Sequence, residues 1–96
     1  MVIKWSIAAA AELKTTFEYI SKDSPQNTNK VVNDLLDYTN KLAHYPMMYP
    51  PDKYKVDNNG NWRAFELHRE RVSYFISSGE IVIVRLRHTS MAPLLY

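Results

Sequence analysis

Residues 62–88 read WRAFELHRERVSYFISSGEIVIVRLRH, and their alternation decides the fold. Apolar and polar residues alternate with period two in three runs, Trp62–His68, Arg71–Ile76 and Glu80–His88, which predicts three β-strands. The links Arg69-Glu70 and Ser77-Ser78-Gly79 have only hairpin length, so the strands form an antiparallel meander. Alternation also assigns side chains to two faces. Arg63, Phe65 and Leu67, then Val72, Tyr74 and Ile76, then Val82, Val84, Leu86 and His88 make a mostly apolar set, expected to meet the rest of the domain. The opposite set is Trp62, Ala64, Glu66 and His68; Arg71, Ser73 and Phe75; and Ile81, Ile83, Arg85 and Arg87. With the domain packed on one side only, this second face is expected to stay open to solvent or to a partner.

Upstream of these strands, Pro46 to Asn61 reads as a loop, with three prolines and then Asp57-Asn58-Asn59-Gly60-Asn61. Loops of that length in small domains are usually functional or mobile. Before it, Pro25 opens a helix that runs to about Tyr45, its missing amide costing nothing at the first helical position. Val31, Leu35, Tyr38 and Leu42 form its main stripe, widened by Val32, Leu36, Thr39 and Ala43. An earlier helix covers Ala8 to Ser21, capped by Ser6, with Ala9, Leu13, Phe17 and Ile20 as its apolar stripe. Val2 to Ser6 is β-prone and makes a short first strand. The order β-α-α-β-β-β is an α+β fold, a helical hairpin packed on one face of a small, mainly antiparallel sheet. The tail Thr89–Tyr96, with Pro93, is expected to leave the sheet.

Ninety-six residues fit one domain, residues 1–96. Composition excludes several classes. With no cysteine there is no disulfide scaffold, thiolate zinc site or cysteine nucleophile. Only three histidines (His44, His68, His88) are present, which argues against a multi-histidine metal site, and no cofactor is expected. No apolar run approaches the ~20 residues of a membrane span, and Met1–Ala11 fits a signal peptide poorly; a cytoplasmic protein is expected. The net charge of +2 is unevenly spread. Residues 1–52 hold five lysines against six acids, whereas residues 53–96 hold seven basic residues against four acids and all five arginines. Arginine's planar fork suits phosphate, so this segregation says more than the sum.

The predicted open face therefore allows two readings. Arg71, Arg85 and Arg87 beside Trp62, Phe75 and His68 suit a single-stranded nucleic acid, guanidinium groups pairing with phosphates and rings stacking on bases. The same residues also make an ordinary solvated face with ion pairs to Glu66 and its neighbours. His88 ends the run Arg85-Leu86-Arg87-His88 and is either a structural residue or a neutral base near pH 7. Met47, Met48 and Tyr49 either form a protein-binding patch or close the core beneath the long loop.

The chain resembles the RelE/ParE superfamily of bacterial type II toxin–antitoxin toxins. The resemblance rests on the alanine-rich helix with Leu13 and Phe17-Glu18-Tyr19-Ile20 followed by Asp23-Ser24-Pro25; on Leu42-Ala43-His44-Tyr45-Pro46; on Trp62-Arg63-Ala64-Phe65-Glu66 leading into Arg71-Val72-Ser73-Tyr74; and on Ile81 to Ser90 with Pro93 and Tyr96. It implies the same β-α-α-β-β-β core. It also implies a toxin neutralised by a labile antitoxin encoded beside it, which makes Met47, Met48 and Tyr49 the antitoxin-binding candidates. In this superfamily RelE-like members cleave mRNA in the ribosomal A site, ParE-like members poison DNA gyrase, and others have no assigned target. The long predicted helices, the modest charge and the ending Arg-His-Thr-Ser with a nearby proline resemble the ParE side. A RelE-like endonuclease is the alternative, its candidate catalytic residues being His88, Arg87, Arg71 and Tyr96. Lys53, Lys55, Arg71, Arg85 and Arg87 would then hold RNA. A non-toxic interaction protein on the same scaffold is the third reading.

Overall fold

The computed structural model describes residues 1–96. Strand β1 (Val2–Trp5) leads into helices α1 (Ile7–Asp23) and α2 (Pro25–Lys41), and strands β2 (Trp62–Leu67), β3 (Glu70–Ser77) and β4 (Glu80–His88) follow the long loop. The four-stranded sheet has the order β1-β4-β3-β2, with β1 parallel to β4 and the other pairs antiparallel. This is the α+β arrangement that the alternation implies.

Local chemistry sets the element boundaries. Ser6 caps α1 by accepting a hydrogen bond from the Ala9 N–H at 3.0 Å while its own hydroxyl donates to Val84 O at 3.0 Å. One residue therefore starts the helix and ties it to β4. Ser24 alone separates the helices, Pro25 takes the first position of α2, and the two fold back as a hairpin. α2 stops at Lys41, earlier than Tyr45: Leu42, Ala43 and His44 each donate to the carbonyl three residues back, a tightened turn ahead of Pro46.

The core is built on the helix-facing side from Ala9, Val31, Leu35, Leu42, Phe65, Val72, Tyr74, Ile81, Ile83 and Leu86. Each fully buried aliphatic side chain there contributes roughly 1.5–3 kcal/mol. The stripe expected for α1 is only partly used, since Ala9 is buried whereas Phe17 is 43% exposed. The larger correction is in β4. Tyr74 pairs with Ile83 but Ser73 pairs with Arg85, so Val84 is an extra residue, a β-bulge. Strict alternation from Leu86 back to Val82 therefore fails. Ile81 and Ile83, both fully buried, face the helices before the bulge, and Leu86 does so after it, while Val82 and Val84 do not join the core.

The β2–β3 turn is also shifted. His68 and Arg69, with φ of 52° and 63°, form the two central positions of a primed hairpin turn, so β3 begins at Glu70 rather than Arg71. Left-handed backbone costs a non-glycine residue about 1 kcal/mol. The His68 ring offsets this by bonding Asp34 of α2, Nε2 to Oδ2 2.7 Å, which ties the hairpin to the helix layer.

The long loop is ordered by side chain–backbone bonds. Asp52 accepts from the Tyr54 N–H, Asn58 from Gly60 and Asn59 from Asn61, each two residues on. Asp52 N–H donates to Trp62 O at 2.8 Å and Pro51 bridges Arg63, so the loop closes the outer edge of β2. No helix is long and apolar enough to cross a membrane.

Candidate functional site

On the sheet face turned away from the helices, β3 and β4 set Arg71 directly opposite Arg87 and Ser73 opposite Arg85. Like charges facing each other across two strands repel, so acids must enter or one cation must leave. Acids enter. Arg71 donates to Asp52 Oδ1 at 2.7 Å and to Glu66 Oε2 at 2.9 Å, and its guanidinium lies 4.7 Å from the Tyr54 ring centroid. Arg85 grips Glu12 of α1 with three bonds of 2.9–3.2 Å, and Glu12 also accepts the Leu86 N–H beyond the end of β1. Only Arg87 of these three forms no ion pair; its Nη2 reaches Ala92 O at 3.4 Å.

Asp52 organises the site. It is 2% exposed and receives Arg71, the Tyr54 N–H and the Tyr96 hydroxyl, the last at 2.5 Å. Burial alone would raise its carboxyl, but the bonds from Tyr96, Tyr54 and Arg71 together hold it below the ordinary carboxylate value. Tyr96 responds in the opposite sense: burial, then its bond to Asp52, pushes the phenol well above its ordinary value. Its proton stays in place at neutral pH.

The tail leaves the sheet after His88, as the sequence suggested, but folds back over its face. Thr89 N–H donates to Arg69 O, Tyr96 N–H to Tyr54 O, and Tyr96 packs edge-on to Trp62 at 5.8 Å. Trp62 meets Phe75 at 4.5 Å, and the Lys55 Nζ sits 5.0 Å from Trp62 and 5.6 Å from Tyr96. Loop and tail thus cover the face that was expected to be open, and Ala64 and Ser73 on it are buried. What remains is a cavity of about 480 Å³ containing Arg71, Arg85, Arg87, His88 and Tyr96 from the predicted set, with Asp52 and Trp62.

The remaining candidates separate. Lys55 lies over the Trp62 and Tyr96 rings and the exposed Lys53 lies 5.2 Å over the Tyr54 ring, all three rings lining the cavity. His88 Nδ1 accepts the Ser90 N–H at 3.1 Å and meets the Ser90 hydroxyl at 2.6 Å, which assigns the proton of the neutral ring to Nε2. Met47 and Met48 are 64% and 47% exposed, but Tyr49 is half-buried and stacks on Phe65 at 4.7 Å. Asp52 and Glu12 were missed by sequence reasoning. Nothing local marks either acid, because each is defined by a cation more than 18 residues away in the chain. No group of three potential ligands is placed to hold a metal ion.

The scaffold recurs among solved structures. A chain of the chromosomal ParDE TA system from P. aeruginosa superposes with a TM-score of 0.74 at 20% identity, covering 92% of this chain and 95% of that one. The YoeB dimer from Staphylococcus aureus gives 0.52 at 18% identity with the same coverage, 92% and 95%. Likeness at such identity concerns the fold alone. The model of the ParE toxin of the type II toxin-antitoxin system, parDE, matches residues 3–93, and the chain belongs to this family. No curated protein sequence matches it.

Proposed function

We propose that the chain is the growth-inhibiting toxin of its module, neutralised by an antitoxin and acting through contacts on a protein target, DNA gyrase being the expected one. The observation that carries this reading is the grip of Asp52 on both Arg71 and Tyr96. A ribonuclease of the RelE-like kind needs a free base, a free acid and unpaired cations around the scissile phosphate. Here Arg71 and Arg85 are neutralised by carboxylates, the Tyr96 proton is held by Asp52, and His88 uses its lone pair on Ser90. These groups lock loop, sheet and tail together. The antitoxin would be met by the exposed Met47 and Met48, with Tyr49 as the inner edge of the patch.

One observation favours the alternative: Arg71, Arg87, His88 and Tyr96 line a single cavity. Paired cell-free assays separate the readings. Contact inhibition gives blocked gyrase supercoiling with ribosome-bound mRNA intact. Cleavage at A-site codons, abolished by Arg87→Ala, would overturn it in favour of the nuclease.

A further inference from the structure

A second cavity, of about 440 Å³, opens between α1 and the end of the sheet where β3 starts and β4 stops, with Arg87, His88 and Met91 shared with the first. Its floor is Glu70, the first residue of β3, paired in register with His88. Glu70 is 4% exposed, takes part in no ion pair or hydrogen bond through its side chain, and its Oε2 is a buried oxygen with no partner. Such a carboxylate is expensive to keep: an orphaned buried polar group costs about 1–3 kcal/mol, and more when charged. The nearest acid does not help. Glu12 across the cavity is already bound to Arg85 and to the Leu86 N–H, so it supplies negative potential without a free cation. Burial and Glu12 together push the Glu70 carboxyl up to about 7.

The remaining lining matches one kind of occupant. Thr15, Thr16 and Ser90 bring hydroxyls, and Leu86 and Met91 bring apolar surface for an aliphatic stem; Arg87 and His88 also line the cavity, the Arg87 guanidinium reaching Ala92 O and the His88 ring engaged by Ser90. Tyr19, 65% exposed at the rim, presents a ring that can lie against a cation. We infer that this cavity is a receptor for a single arginine side chain carried by the antitoxin, its guanidinium bonding the unpartnered Glu70 oxygens and its stem lying along Leu86 and Met91. The exposed Tyr19 and Met91, the latter 52% exposed, form an apolar rim at which the rest of a protein segment can seat. The occupant rests on the toxin–antitoxin reading, but the site's chemistry can be tested without it.

The probe is Nα-acetyl-arginine amide, titrated into the full chain and followed by the NMR shifts of Glu70, Leu86 and Tyr19. The expected result is a saturable shift at these residues that Nα-acetyl-citrulline amide, the neutral isostere, does not produce. It disappears in Glu70→Gln, which loses no hydrogen bond and should fold. No shift, an equal response to citrulline, or an unchanged response in Glu70→Gln overturns the inference. Pull-down with the product of the adjacent gene is read separately. If that protein binds wild type and Glu70→Gln equally, the arginine receptor is wrong and the antitoxin reading stands; if it binds neither while the probe still binds, the antitoxin as occupant is wrong.

Discussion

Two carboxylates in this chain are buried to nearly the same depth, Asp52 at 2% and Glu70 at 4% exposure, and they behave in opposite ways because of their partners. Asp52 has three donors, Glu70 none. Removing the Asp52 charge leaves Arg71, whose Nε is already buried without a partner, with Glu66 alone. Asp52→Asn should therefore cost about 3 kcal/mol at pH 7, readable as a lower denaturant midpoint. Since the Asp52 carboxyl lies below its ordinary 3.8 in the fold, its contribution is present above that value and is lost as pH falls through the lowered one. The variant should lose this acid limb. Glu70 carries the reverse sign. Its carboxyl is raised from the ordinary 4.5 to about 7, so the folded chain holds a proton that the unfolded chain has released. Stability should fall between about pH 4.5 and 7, by about 3 kcal/mol in all, and level off above. Glu12 and Tyr19 of α1 and Arg87 and His88 of β4 face the same cavity, with Arg85 engaged by Glu12. Glu70→Gln isolates the Glu70 contribution: urea midpoints from pH 5 to 8 should slope in wild type and be nearly flat in the variant. Parallel slopes would show that another group carries the effect.

At the scale of elements, the tail Pro93–Tyr96 acts as a strap. Tyr96 joins Asp52 and the Tyr54 carbonyl and covers Trp62, closing a face that the helices do not reach. A chain ending at Ala92 should be destabilised by about 2 kcal/mol, the scale of a hydrogen bond to a charged group. In a Trp5→Phe background its emission should shift to the red as Trp62 gains water. An unshifted spectrum would mean that the tail does not cover Trp62 in solution. The strap was not legible in the sequence, where Pro93 ended the pattern and nothing indicated a return. β4 shows the same limit more sharply. Ile81, Val82, Ile83 and Val84 are all β-branched and apolar, so either phase of alternation fits, and only the bulge at Val84, set by pairing with β3, decides which pair is buried. The helices, the hairpin order and the apolar face of β3 were readable because period and turn length are local properties. The His68-Arg69 turn and the pairing of Arg71 and Arg85 depend on distant partners, and local pattern carries no trace of them.

For the molecule as a whole, the question is how much positive charge remains available to an anionic polymer. The sequence places all five arginines after residue 52, but three-dimensional pairing changes their meaning. Arg71 and Arg85 are each matched by carboxylates, and Arg63 donates to the Gly60 and Tyr49 carbonyls from a buried position. Around the tail-side cavity that leaves Arg87, Lys53 and Lys55 without an ion pair among the candidate cations. Single-stranded RNA releases roughly 0.7 counterion per phosphate neutralised, so about three free cations give a slope of log affinity against log salt near −2. Freeing Arg71 and Arg85 for phosphate would steepen it to about −3.5. Fluorescence anisotropy of a labelled RNA across a salt series measures this directly. The shallow slope, unchanged in Glu66→Gln, is expected of a toxin whose arginines hold its own fold. The steep slope would mean that RNA displaces Asp52, Glu66 and Glu12 from their arginines, and the cavity would then have to be considered as a nuclease centre in its RNA-bound form.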